Sequence, residues 1–286
     1  LNGGVLADLL WDEGATQGEI VPALKNLGFS LPEIFVSLEG VIKQDGTGLS
    51  NKDISLGIWT SEYGKAEVDP GIIADLLWDS GASQAEIGQT LKDAGFDLRE
   101  IANAVDDKVT IDEQGNTLGY LDTAIAIWNS GYQGDQLDSR VLADLLWDEG
   151  ANEIEVSQSL KGVGFSLPVI ADALRFGVTK ADESNLSFSS VAVGIWNSSY
   201  TGENGLKGSV LVDLLANLVP NPTAPGEEFV TEVAQTLYYQ LGFSAAEIVG
   251  SVFQSNFNIK ADNPTGNEFV IASLFLRNSG LARNTK

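Results

Sequence analysis

The chain has 286 residues, 43% of them hydrophobic, which is enough apolar material for a sizeable core and excludes a disordered tail. Its 40 acidic residues outnumber 16 Lys and Arg and leave a net charge of −24, a surface that repels phosphate backbones and excludes nucleic acid as a partner. Cys, Met and His are absent, which removes disulfides, thiol or imidazole catalysis and thiolate metal sites together.

No uninterrupted apolar run approaches the roughly 20 residues of a membrane-spanning helix, so no membrane insertion is expected. The chain begins at Leu1 rather than at a methionine, as after removal of a leader or in a piece of a longer protein. Together with the lack of oxidisable Cys and Met, that points to an extracellular or cell-surface location.

The string Val-Leu-Ala-Asp-Leu-Leu-Trp-Asp organises everything else. It starts at Val5, recurs from Ile72 and Val141, and survives in worn form from Val210. The starts lie 67, 69 and 69 residues apart, so the expected fold is all-α: a tandem, α-solenoid-like array of four helical repeats. The units run over 1–70, 71–139, 140–208 and 209–286. Each reads as four helices, A to D.

Helix A is the recurrent string itself, ended by Gly14, Gly81 and Gly150 in the three good copies. In unit two Asp69 is placed to cap it and Pro70 to open its first turn. Its apolar residues cover all but a strip held by two Asp, so burial on more than one side is expected.

Helices B and C each open on a capping box. Thr16 with Glu19, Ser83 with Glu86 and Asn152 with Glu155 start helix B. Ser30 with Glu33, Asp97 with Glu100 and Ser244 with Glu247 start helix C. Between them stand Gly28-Phe29, Gly95-Phe96, Gly164-Phe165 and Gly242-Phe243, the Gly to stop B and the Phe to staple C.

A polar connection follows in each unit, over 43–51, 110–119, 179–187 and 260–267. Val109-Thr110-Ile111 has the composition of a short strand. Helix D then carries Trp59, Trp128 and Trp196, each with a Tyr four residues on (Tyr63, Tyr132, Tyr200), a spacing that lets the two rings stack. Ser55 and Gly57, Ala124 and Ala126, Ala192 and Gly194 are small enough for another helix to approach closely. Unit four diverges: Ala216 and Asn217 replace Trp and Asp, a Pro-rich insertion follows (Pro220, Pro222, Pro225), and Arg277 stands in the Trp position. A terminal unit meets solvent or a different neighbour, so unit four reads as a cap.

Three sets of residues invite chemistry. The paired Asp of helix A repel one another, and the second lies at the negative end of the helix dipole. Lys25, Lys92 and Lys161 each follow 13 residues after Asp12, Asp79 and Asp148, which suggests structural ion pairs. Asp45, Asp112, Asp262 and Glu268 lie in oxygen-rich loops that make calcium the one cation to consider, although none follows the EF-hand order. Trp11, Trp59, Trp78, Trp128, Trp147 and Trp196 are read as repeat core rather than as a sugar-binding cleft. The B–C pair of unit two superficially resembles a helix-turn-helix, but between Ser83 and Ile101 Lys92 and Arg99 are the only basic side chains.

With His and Cys missing and the repeated carboxylates assigned to caps and ion pairs, the expectation is a protein that is not an enzyme and needs no cofactor. The function expected is structural or interaction-based: a homo-oligomer or head-to-tail filament, layer or matrix subunit, since the first unit has no distinct cap. The alternative is a monomeric module binding calcium, carbohydrate or another small ligand, and the least favoured is a hydrolase built on acidic residues.

Overall fold

A computed structural model describes residues 2–43, 46–61, 68–106, 109, 118–132, 136–198, 206–219 and 227–254. Among them the protein is all-helical: fifteen α-helices and no strand, with isolated bridges such as Ile42–Gly48 and Thr179–Asn185. No helix of the described residues is long and apolar enough to cross a membrane. Most helices have ten residues, a length marginal in isolation, so packing rather than propensity holds them.

The chain forms two compact bodies, Leu1–Leu137 and Asp138–Lys286. The first body contains α1 (Gly3–Asp12), α2 (Gln17–Asn26), α3 (Leu31–Glu39) and α4 (Asn51–Thr60). It continues with α5 (Pro70–Asp79), α6 (Gln84–Asp93), α7 (Leu98–Asp106) and α8 (Tyr120–Asn129). These are helices A to D of units one and two. In each unit A packs on B and C, and D packs on B and C. Between the units, α4 packs on α5 and α6, so the last helix of one repeat seats against the first two of the next.

The second body contains α9 (Ser139–Asp148), α10 (Glu153–Val163), α11 (Leu167–Phe176) and α12 (Phe188–Asn197) from unit three. Unit four supplies α13 (Gly208–Asn217), α14 (Glu227–Gln235) and α15 (Ala245–Gln254). The same joint recurs, with α12 packed on α13 and α14. The Arg140 guanidinium grips the Asp172 carboxylate through two hydrogen bonds of 2.7 and 2.8 Å, tying α9 to α11.

Helix boundaries follow the local chemistry. The amides of Thr16, Ser30, Ser83, Asp97, Asn152 and Ser244 donate to the expected Glu carboxylates at 2.8–2.9 Å. Asp69 accepts from the Ile72 amide at 3.0 Å, with Pro70 as the first helical residue. The glycines that end A and B adopt left-handed φ, from +74° at Gly242 to +107° at Gly164, where a Cβ would be strained.

The small residues of helix D make the close approach. A Cβ on Gly57 would overlap the Gln17 side chain, and one on Gly194 would come 2.6 Å from the Glu153 carbonyl oxygen. In unit two the glycine is on the other partner: a Cβ on Gly88 would overlap the Ala126 carbonyl. B and D therefore meet closely in each of these units, main chain against main chain in units two and three.

Two expectations change. Helix A is buried on more than one side in unit two, where Leu76 is 7% exposed, but in unit one Val5 is 56% and the equivalent Leu9 57% exposed. Trp128 and Tyr132 do not share one helix: α8 ends at Asn129 and Gly131 turns the chain at φ +86°, so Tyr132 lies beyond the helix. Unit four keeps its B–C turn although its B helix is one residue longer. The Phe243 amide bonds to the carbonyl of Leu237, six residues back, whereas Phe96 bonds to Leu91, five back. A π-helical turn at Thr236–Gln240 absorbs the extra residue. Of the Val109–Ile111 segment only Val109 is described, buried and outside any strand.

Candidate functional site

The feature most developed among the described residues is the joint between successive repeats, built on the Gly-Phe turn. In the first body the Trp59 ring from the end of α4 lies 4.5 Å from the Phe96 ring that follows α6, tilted at 53°. The indole N–H donates to the Ala94 carbonyl oxygen at 3.1 Å. Phe96 is thereby reduced to 5% exposure. In the second body Trp196 meets Phe243 at 4.8 Å and 59°. Phe96 and Phe243 thus serve the contact between repeats, a larger task than stapling helix C.

Unit two closes on itself at the same turn. The Tyr132 hydroxyl donates to the Phe96 carbonyl oxygen at 2.6 Å. The Lys92 ammonium donates to the Gly131 carbonyl oxygen and lies 4.8 Å over the Tyr132 ring. Across the inter-repeat boundary, Lys52 of α4 is ion-paired with Asp93 of α6.

These contacts give Lys92 partners other than Asp79. The Asp79 carboxyl is held above the usual carboxylate range, by burial first and then by the charge of Asp75. Unit four has Asn217 in place of the second Asp and lacks the lysine that follows it in units one to three. Unit four also replaces the Tyr of helix D with Leu281, and Lys with Tyr238, so the same losses accompany a Lys–Tyr contact. Lys25 and Lys161 occupy the equivalent half-buried place on α2 and α10. Their pairing with Asp12 and Asp148 stands as a proposal.

The six tryptophans are half-buried rather than sealed in the core. The calcium candidates Asp45, Asp112, Asp262 and Glu268 lie outside the described residues, as do Tyr63, Tyr200, Arg277 and the prolines of the insertion. Among the described residues no group of three or more acidic side chains is gathered to hold a metal ion.

On unit one the surface equivalent to the joint stands open. Asn2, Gly3, Phe29, Glu33, Val36 and Ser37 line a pocket of about 470 Å³. In unit four the corresponding Lys207, Gly208, Phe243, Glu247, Gly250 and Ser251 line a pocket of about 450 Å³, and Trp196 of unit three forms part of its wall. The two floors have one construction: a Cβ on Gly3 would overlap Ser37 and crowd Phe29, and one on Gly208 would overlap Ser251 and crowd Phe243. Val36 on the pocket wall is exposed, and so are Val5 and Leu9 of α1 and Leu27 just after α2. Comparison with protein-family models, curated proteins and solved structures finds no match for the chain.

Proposed function

We propose that the chain is a non-catalytic structural or interaction protein: an α-solenoid-like array of four repeats, secreted or surface-exposed, that assembles end to end. The observation that carries this reading is the contrast between Leu9 and Leu76. They hold the same position in helix A, yet Leu76, which lines a small cavity with Phe35 and Val36 of α3, is 7% exposed, whereas Leu9 is 57% exposed. Large apolar side chains exposed at a position that is buried in the next repeat point to an interaction site. Because it matches the internal face between units one and two, its natural complement is another repeat end, and such a heterologous contact propagates into a filament unless the rotation closes.

The strongly acidic remainder of the surface opposes unspecific clustering, so contact is confined to the apolar end. Sedimentation velocity over a hundredfold range of protein concentration, with negative-stain microscopy at the upper end, tests the reading. Growth by addition of whole chains supports it, and a constant monomer mass at every concentration overturns it.

A further inference from the structure

We propose that the pocket at the start of α13 binds a small carboxylate with an apolar body, an activity that does not depend on end-to-end assembly. The A helices of units one to three each begin on a side-chain oxygen. Asn2 accepts from the Gly4 amide at 2.9 Å, and Asp69 from Ile72 at 3.0 Å. Asp138 accepts from the Arg140 and Val141 amides at 2.8 and 2.9 Å. Unit four has Lys207 in that place, and its side chain caps nothing. Among the described residues no acceptor meets the Ser209 and Val210 amides, which are the equivalents of the two that Asp138 satisfies. A carboxylate is thus missing from the end of a ten-residue helix where two other units supply one.

A second observation lies on the facing helix. Ser251 of α15 is only 8% exposed, lines the same pocket of about 450 Å³, and stands so close over Gly208 that a Cβ there would overlap its hydroxyl. In unit one the equivalent Ser37 hydroxyl donates to the Glu33 carbonyl oxygen at 2.6 Å. Among the described residues Ser251 has no such partner, so a buried donor is left at the uncapped helix start. Lys207, exposed beside it, adds an ammonium. Two amides, a hydroxyl and an ammonium are donors suited to a carboxylate. Glu247 is the one carboxylate among the lining residues, and it is engaged by the Ser244 amide and hydroxyl at 2.8 and 2.7 Å. Its charge disfavours a phosphate dianion more than a carboxylate. The Trp196 and Phe243 rings supply apolar wall for the rest of the ligand. A net charge of −24 repels anions at long range, so affinity has to come from these contacts.

Titration of the isotope-labelled full chain with phenylacetate, followed by amide NMR, tests this. Phenylacetate should shift the Ser209 and Val210 amides saturably, and the neutral isostere phenylacetamide should bind at least about tenfold more weakly. The variant K207D supplies the cap that units two and three carry. It should raise the melting temperature and yet weaken phenylacetate binding by about tenfold or more. A variant more stable than the wild type cannot lose its ligand by misfolding. The comparison of acid with amide on the wild type decides the matter even where K207D folds poorly. The proposal falls if phenylacetate up to about 10 mM gives no saturable shift at these amides. It also falls if phenylacetamide or inorganic phosphate binds as well as phenylacetate, or if a folded K207D binds phenylacetate like the wild type.

Discussion

Trp59 and Phe96 stand ring to ring at 4.5 Å, although they belong to different repeats, and the indole N–H of Trp59 is bonded to the carbonyl that ends α6. The pair combines a directional hydrogen bond with apolar burial. Trp59→Ala should destabilise the first body by about 2–3 kcal/mol, at the lower end for a large aromatic because the ring is half-buried. Trp59→Phe keeps a ring and loses the hydrogen bond, at a cost of about 1 kcal/mol. Among the described residues Trp196 has the ring contact without an indole hydrogen bond, so Trp196→Phe should cost less than Trp59→Phe. Urea denaturation of the three variants, followed by circular dichroism, gives the ranking.

Lys92 provides a second test, because its contacts run to helix D and its expected partner lies on helix A. A double-mutant cycle between Lys92→Met and Tyr132→Leu should show a coupling of about 0.5–1 kcal/mol. The corresponding cycle between Lys92→Met and Asp79→Asn should be additive to within about 0.5 kcal/mol. A strong Lys92–Asp79 coupling would restore the ion pair and displace the cation–aromatic contact.

The B–D packing sets two physical effects against each other. Alanine is a better helix former than glycine by about 1 kcal/mol. At Gly18 the added methyl group meets nothing closer than 3.9 Å, so Gly18→Ala should stabilise by up to about 1 kcal/mol. At Gly88 the methyl group runs into the Ala126 carbonyl, so overpacking outweighs propensity and Gly88→Ala should cost about 1–2 kcal/mol net. Ser55 offers a third comparison on the same interface: its buried hydroxyl has no hydrogen-bond partner, and units two and three carry alanine there. Ser55→Ala should gain about 1 kcal/mol. Thermal melts of the three variants check all the signs.

Acid sensitivity follows from the caps. Glu19, Glu33 and Glu86 are held below the usual range by the backbone amide of the cap residue and then by its hydroxyl; for Glu247 the Ser244 hydroxyl comes first. A carboxylate whose folded pKa lies below its unfolded one contributes stability in full above the unfolded value, about 4.3, and loses it as pH falls through the folded value. Glu86→Gln preserves the reach back to Ser83 without the charge, so it should flatten the acid limb of the stability profile. Asp79 has the opposite sign. Its folded pKa is raised, so its cost is present above that value and is relieved as pH falls through it. Asp79→Asn should therefore stabilise by about 0.5 kcal/mol at pH 7 and by nothing once the wild-type carboxyl is protonated. Asn217 already occupies the equivalent place in unit four. Denaturant titrations between pH 2.5 and 7 (values of about this range bracket the carboxylate pKa values) measure both limbs.

What the sequence discloses is the part of the fold written in short spacings. A cap and its Glu lie three residues apart, and a left-handed turn demands glycine at one place, so Ser83 with Glu86 and Gly95 are legible without any knowledge of the fold. The joint is harder to read. Trp59 and Ala94 are 35 residues apart, and the acceptor is a main-chain carbonyl, which leaves no mark on residue identity. The Gly131 carbonyl that holds Lys92 is silent for the same reason. The available signal is joint loss: unit four gives up Lys, Trp and Tyr together, at Tyr238, Arg277 and Leu281. The contrast between Leu9 and Leu76 is not a property of local sequence at all, since two leucines in one motif differ only in what lies beside them.

The indole bond of Trp59 also has a direction in time. During synthesis α4 leaves the ribosome before its acceptor exists, because Ala94 comes 35 residues later. A repeat of this kind is completed by its successor, so the growing chain always ends in one helix still waiting for the turn that will receive it. Each such helix depends on a turn that its own repeat does not carry.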